Sequence, residues 1–324
     1  MKSFFKHTSL ASALGVALVF CSFSQVAHSE QTAGKDLEVL RIRPNFYVIF
    51  GAGGNIAVQL GSTGLVLVNT GRAEAADRVL ETIKKITDQP IRYIINTGAD
   101  PEDVGGNAAL SKAGRNILPP GPATILAAQQ VLLRMSAPSG RKALFPEDAW
   151  PTESFAERRK DLYLNQEGIF IYRELAAHSD GDSVVLFRGS DVVVAGRTID
   201  TNRFPVIDVT KGGSIQGEIE GLNHILDLSV RPLPFFYQGG GTYIVPANGR
   251  IYDYIDLVDY RDMVVVVRDT IEDMIHRGMT LAEIKAARPA KPYEARYGAI
   301  TGSWTTNDFI EAVYKGLTAK EAKK

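Results

Sequence analysis

A strand that runs straight into a polar, glycine-rich turn is the feature that most constrains this chain. Ile91-Arg-Tyr-Ile-Ile95 is β-rich, and Asn96-Thr-Gly-Ala-Asp-Pro-Glu-Asp-Val-Gly-Gly-Asn107 follows without a spacer. Before it, Ala76, Val79, Leu80 and Ile83 share one face of a helix expected over 73–87. A further helix is expected from about Val104 to Gly114. Strand, helix, strand, loop, helix is an α/β order. It sets the loop at the carboxyl end of a strand, where α/β proteins gather functional groups.

Strand-rich and helix-rich stretches alternate along the rest of the chain. Phe46–Phe50, Ile56–Leu60 and Leu65–Val68 read as strands separated by glycine turns. Gly51-Ala-Gly-Gly54 lies between two of them rather than before a helix, so it reads as a hairpin turn and not a phosphate loop. A helix is expected near Ile125–Met135, inside a stretch, 118–165, read as a partly irregular insertion. Strands return at Ile169–Tyr172, Ser183–Phe187, Val192–Ala195 and Thr242–Val245. A helix near Ser214–Leu228 carries Ile215, Ile219, Leu222 and Leu226 on one face. Beyond 255 the pattern is helical, near 257–277, 280–287 and 306–316. Periodicity alone gives a mixed α/β fold.

The start of the chain reads as an export signal over 1–29. Lys2 and Lys6 precede an apolar run from Leu10 to Phe23, and Ala27-His28-Ser29 fits small-x-small cleavage. The run is short for a membrane span. The expectation is a periplasmic or secreted protein without a stable span after cleavage. Cys21 is the only cysteine and leaves with the signal, which excludes disulfides and thiolate chemistry from the mature chain. The whole chain has a formal charge of −1, and losing Lys2 and Lys6 makes it more acidic. With no basic stripe, nucleic-acid binding is not expected.

The loop at 96–107 resembles the metal loop of the metallo-β-lactamase superfamily, Asn-Thr-His-x-His-x-Asp-His-x-Gly-Gly-Asn. Asn96, Thr97, Gly105, Gly106 and Asn107 match it. Four more segments fall in the family's order: Asn69-Thr-Gly71, Ala177-His-Ser-Asp-Gly-Asp-Ser183, Val194-Ala-Gly-Arg197 and Val245-Pro-Ala-Asn-Gly249. The resemblance implies a four-layer αβ/βα sandwich over about 30–255, with a helical C-terminal extension over 256–324. It also implies a dinuclear metal site built from five histidines, an aspartate in the loop and a bridging aspartate. Here Gly98, Asp100 and Asp103 stand at three of the histidine positions, Glu102 at the loop aspartate, Arg197 at the bridge and Asn248 at the last histidine. His178 alone is retained. His224 and His276 fall opposite the apolar stripes of their helices and read as surface residues.

These replacements leave three readings open. In the first, Arg197 projects among Asp100, Glu102 and Asp103 and supplies the charge a metal would bring. The protein then binds a small ligand or a partner without catalysis, with Arg197, Asn248 and Asn107 as candidate ligand contacts and no cofactor. In the second, Asp100, Glu102, Asp103 and His178 hold one divalent metal (Mn, Mg, Ca or Zn) in an oxygen-rich shell. His178, Asp103 and Arg197 would then carry the hydrolysis of an ester, lactam, thioester or phosphoester. In the third, His178 is a general base oriented by Asp180 or Asp182, with no nucleophile elbow in the sequence to accompany it. A structural reading stands beside all three: His178 ties its strand end to the loop. Tyr293, Tyr297 and Trp304 either line a cleft or, as aromatics of a helical tail usually do, pack in a core.

Overall fold

The computed structural model describes residues 37–137, 140, 142–232 and 240–321. The expected signal segment at 1–29 lies outside them. Two sheets form the centre. β1 (Glu38–Arg43), β2 (Phe46–Phe50), β3 (Ile56–Gly61), β4 (Gly64–Val68), β5 (Ile91–Asn96), β6 (Thr124–Ala128) and β7 (Glu153–Phe155) lie side by side in chain order. The first four are antiparallel, and β4 to β7 run parallel. The second sheet has the order β12 (Tyr243–Asn248), β11 (Val192–Asp200), β10 (Asp182–Phe187), β9 (Glu167–Glu174), β8 (Arg159–Leu164). Only β11 and β12 are parallel there.

Side-chain alternation assigns each face a partner. Val48, Ala57, Val66, Val68, Ile95 and Leu126 point from the first sheet to Ile169, Ile171, Val185, Phe187, Val194 and Val245 of the second. Phe46 and Phe187 meet edge to face across the gap, with centroids 4.9 Å apart. The opposite face of the first sheet, with Ile49, Val58, Leu65, Leu67 and Ile94, is covered by α1 (Ala76–Ile86) and α3 (Asn107–Ala113). The outer face of the second, with Val184, Val193 and Ile244, packs on α5 (Ile215–Leu228), α6 (Tyr254–His276), α7 (Leu281–Ala287) and α9 (Thr306–Glu321). This is the four-layer αβ/βα sandwich, and its helical C-terminal part is one outer layer. β4 is buried along its whole length, as a strand covered on both faces must be. Side chains cap the outer helices: Ser214 begins α5, and Asp253 and Thr280 form capping boxes with Asp256 and Glu283 on α6 and α7.

Three local features differ from the sequence pattern. Thr124–Ala128 is strand β6, and the helix that follows, α4, spans Gln129–Ser136. An unbroken apolar run gives no period to separate a buried strand from a buried helix, and pairing with β5 decides it. The stretch 118–165 supplies β6, α4, β7 and β8, and so contributes strands to both sheets. The helix expected from Val104 to Gly114 is two, α2 (Pro101–Val104) and α3, parted at Gly105 and Gly106. The short α8 (Glu294–Tyr297) completes the outer layer. Tyr297 is buried there against Phe204 and Tyr260, and Tyr293 and Trp304 pack on the same core. No helix among the described residues is long and apolar enough to cross a membrane.

Candidate functional site

The ends of several strands bring the singled-out residues together at one edge of the sandwich. β4 ends in Asn69, held at φ 64°, a conformation asparagine tolerates. β5 runs into Thr97, whose carbonyl accepts the amide of Ser183 on β10 and so docks the loop on the second sheet. The Asn69 side chain closes the turn by bonding the Thr97 amide at 2.9 Å, the Thr97 hydroxyl and the Asp103 carboxylate. In β11 the pairing with β12 slips at Gly196, a bulge with φ 56°. A Cβ at Gly196 would lie 2.8 Å from Thr97, so a side chain there meets both backbone strain and a clash. The bulge aims the next side chain, Arg197, into the gap.

Arg197 is the hub of an ion cluster. Its Nε lies 2.8 Å from Asp103 Oδ2 and 2.9 Å from Asp100 Oδ2, and Nη2 lies 2.7 Å from Glu102 Oε2. Its side chain is 12% exposed and that of Asp103 only 3%. Two cations complete the balance. Arg72 pairs with the other oxygen of Glu102, and Lys211 Nζ lies 3.2 Å from Asp100 Oδ1 and 3.0 Å from Asp208. Burial works against ionisation of Asp100, but its hydrogen bond to His178 and the charges of Arg197 and Lys211 hold it well below the usual carboxylate range. Glu102 is lowered in the same way, against burial, by backbone hydrogen bonding and by Arg197 and Arg72. Asp103 is shut away from water, and burial pushes its carboxyl up against the pull of Arg197.

His178 ties two loops to each other. Its Nδ1 lies 2.6 Å from the Val206 carbonyl and its Nε2 2.9 Å from Asp100 Oδ2. Both partners are acceptors, so both ring nitrogens donate and the ring is an imidazolium. Burial lowers its basicity, but Asp100 and Asp182 outweigh it, and the net shift is upward. A ring with both nitrogens committed to acceptors is not poised to take a proton. Neither expected orienting residue hydrogen-bonds it. Asp182 accepts the Ser179 amide and hydroxyl, and Asp180 pairs with Arg134 at 2.5 Å. Burial raises Asp182 to about 6.

The two asparagines part company. Asn107 is fully buried; its amide nitrogen donates to Asn96 and to the Ala149 carbonyl, and its oxygen accepts from Thr70 and Asn96. That places it out of reach of a ligand and gives it the task of locking the loop to α3. Asn248 stands outside the Arg197 cluster, on the wall of a cavity of about 650 Å³ lined also by Leu40, Phe50, Asn55, Arg250 and Ile251. With its amide turned, Asn248 donates to the Gly53 carbonyl at 3.1 Å. A second cavity of about 300 Å³ opens beside Asp100, His178 and Lys211. Sequence reasoning missed Arg72 and Lys211. Arg72 directly follows the Asn69-Thr-Gly71 turn, a signal that was present. Lys211 carries none, because it reaches Asp100 from 111 positions away. His224 is half-buried and pairs with Glu174 at 2.6 Å, so it is not the solvated surface residue its helical position suggests; His276 is exposed.

The donor set does not fit the dinuclear centre that the resemblance implies. The carboxylates that would face an ion face a guanidinium, and a divalent cation cannot share that space with a permanent monocation. Gly98 belongs to the same arrangement: a Cβ there would lie 2.7 Å from Asp103 Oδ2, so a larger side chain collides with the acid that Arg197 holds. Among the described residues no group of three His, Cys, Asp or Glu side chains is disposed to hold a metal.

Solved structures share this architecture. A metallo-beta-lactamase from Pontibacter korlensis matches 71% of this chain and 99% of its own, at 15% identity and a TM-score of 0.54. The stereoselective inverting sec-alkylsulfatase Pisa1 from Pseudomonas sp. matches 86% of this chain at 16% identity and a TM-score of 0.61. This chain spans about half the length of that sulfatase, 50%. At such identities the likeness establishes the fold alone. The family model of the metallo-beta-lactamase superfamily matches residues 50–235, more than half of the chain, and the protein belongs to that superfamily. No curated protein matches significantly.

Proposed function

We propose that this protein is an exported, metal-independent member of its superfamily that binds a small ligand without hydrolysing it. One observation carries the reading: Arg197 lies within 2.9 Å of carboxylates at all three acidic positions of the loop, 100, 102 and 103. Paired carboxylates bound to a guanidinium are satisfied both electrostatically and by hydrogen bonds. A metal-activated water needs an open position on an ion, and here the ion is replaced by a side chain with nothing to open. The imidazolium of His178 supports the same reading, because it leaves no base to activate water directly.

The ligand falls to the cavity beside Asn248. Its volume, about 650 Å³, is that of a small-molecule site. Leu40, Phe50 and Ile251 give it an apolar wall, and Glu38, Asn248 and Arg250 offer polar contacts. This favours a mainly apolar ligand with one polar end. The test is a turnover assay of the purified protein on ester, lactam, thioester and phosphoester substrates, with and without added Mn²⁺ or Zn²⁺. The expected result is no metal-dependent turnover. Turnover that disappears with chelator and with Asp103→Ala would overturn the proposal.

A further inference from the structure

We propose that a cleft on the outside of the second sheet, remote in sequence from the Arg197 loop, is a second binding site, for a small organic phosphate. The cleft measures about 390 Å³ and is lined by Arg158, Arg159, Tyr172, Arg173, Glu174 and His224 among others. It lies where edge strand β8 and its neighbour β9 meet the first turns of α5. The proposal stands apart from the reading of the Arg197 cluster and uses none of its residues.

Three guanidinium groups line this one cleft, and two of them, Arg158 and Arg173, have no acid partner among the described residues. Arg158 is exposed and makes no side-chain ion pair or hydrogen bond among the described residues. Arg173 donates from Nη1 to the Ala156 carbonyl, while its buried Nε has no acceptor among the described residues. Arg159 pairs with Asp161 at 2.7 Å and lies over the Phe170 and Tyr172 rings. His224 pairs with Glu174 at 2.6 Å, a hydrogen bond that raises its pKa, and the charge of Arg158 is close enough to oppose this. The acids of the lining, Glu174 and Glu220, offset part of this charge and leave Arg158 and Arg173 without an acid partner among the described residues. Glu174 is already committed to His224, and Glu220 accepts from Gln216 on its own helix.

Two guanidinium groups without an acid partner, Arg158 and Arg173, match a tetrahedral oxyanion, which guanidinium forks bind through two parallel hydrogen bonds. The volume exceeds that of bare phosphate and leaves room for an organic group. Tyr172, with the His224 ring edge-on at 4.9 Å, provides an aromatic wall for it. Phenyl phosphate is the matching probe, since it joins a dianion to a ring.

Calorimetric titration with phenyl phosphate, at constant ionic strength set with NaCl, tests this. The expected result is saturable binding at one site, weakened about tenfold or more by Arg158→Ala and by Arg173→Gln. Melting curves of both variants check that the fold survives; Arg158 is exposed, so its loss leaves the melting temperature in place. Arg197→Met leaves the affinity unchanged, which separates this site from the ion cluster. No saturable binding, or binding that neither arginine variant weakens, would overturn the proposal. Inorganic phosphate binding as tightly as phenyl phosphate would overturn the assignment to an organic ester.

Discussion

Arg197→Met tests the ion cluster through its energetics. Methionine keeps much of the side-chain length and removes the charge and the fork of donors. It leaves Asp103, 3% exposed, beside Asp100 and Glu102 with no cation between them. All three acids are less than a third exposed, so solvent screens them little. Removing one partner from a buried ion pair typically costs about 3–5 kcal/mol, because the stranded charge keeps its desolvation penalty. At about 2–4 °C per kcal/mol for a chain of this size class, the melting temperature falls by roughly 6–20 °C at pH 7. The pH dependence has a definite sign. Asp100 and Glu102 have lowered folded-state values, so their contribution is complete above the unfolded values of 3.8 and 4.5 and is lost as pH falls through the folded ones. The part of the gap carried by Asp100 and Glu102 is therefore full at pH 7 and narrows as pH falls through 4.5 toward their folded values. The vacated acids also become available to a hard cation, so millimolar Mn²⁺ raises the melting temperature of the variant and not of the parent. Circular-dichroism melts at pH 7 and pH 3.5, with and without Mn²⁺, read all of this. Equal melting temperatures at pH 7 would refute the argument.

Two further substitutions probe the surroundings. Gly98→Ala places a Cβ 2.7 Å from Asp103 Oδ2 and strains the pair with Arg197, at an expected cost of about 1–3 kcal/mol; an unchanged urea midpoint would show that the loop yields freely. Glu218 in α5 is fully buried, with both carboxylate oxygens unpartnered among the described residues, and burial together with the nearby Asp182 raises its pKa well above the usual value. A raised carboxyl favours the folded state at pH below its unfolded value and loses that contribution as pH rises through the folded one. Glu218→Leu should therefore stabilise the protein by about 1–3 kcal/mol at pH 8, with a smaller gain at pH 5, as thermal melts would show; a lower melting temperature at pH 8 would assign the carboxylate a partner.

Much of this was legible because the informative signals are local. The loop at 96–107 and the segments at 69, 178, 197 and 248 each sit at a strand end, so their order along the chain carried the fold. The facing of Arg197 and the three acids followed from the same order. β1, β7 and β8 escaped notice because they are edge or near-edge strands, short or charged, without clean alternation. β6 escaped because an apolar run does not state its own period. The structural duty of Asn107 was hidden by its motif position, since a loop asparagine looks the same whether it faces a ligand or a neighbouring backbone. Lys211 and the pairing of His224 with Glu174 depend on contacts across 111 and 50 positions, which no local pattern encodes.

The central claim is that a guanidinium stands where the superfamily places metal. Metal analysis of the protein purified without chelator, followed by titration with Zn²⁺ and Mn²⁺, tests it most directly. The account predicts well under half an equivalent of divalent metal and no saturable uptake at micromolar concentrations. More than about half an equivalent, retained through dialysis and lost on Asp103→Ala, would contradict it, since ligand exchange at that site requires Arg197 to have left the carboxylates.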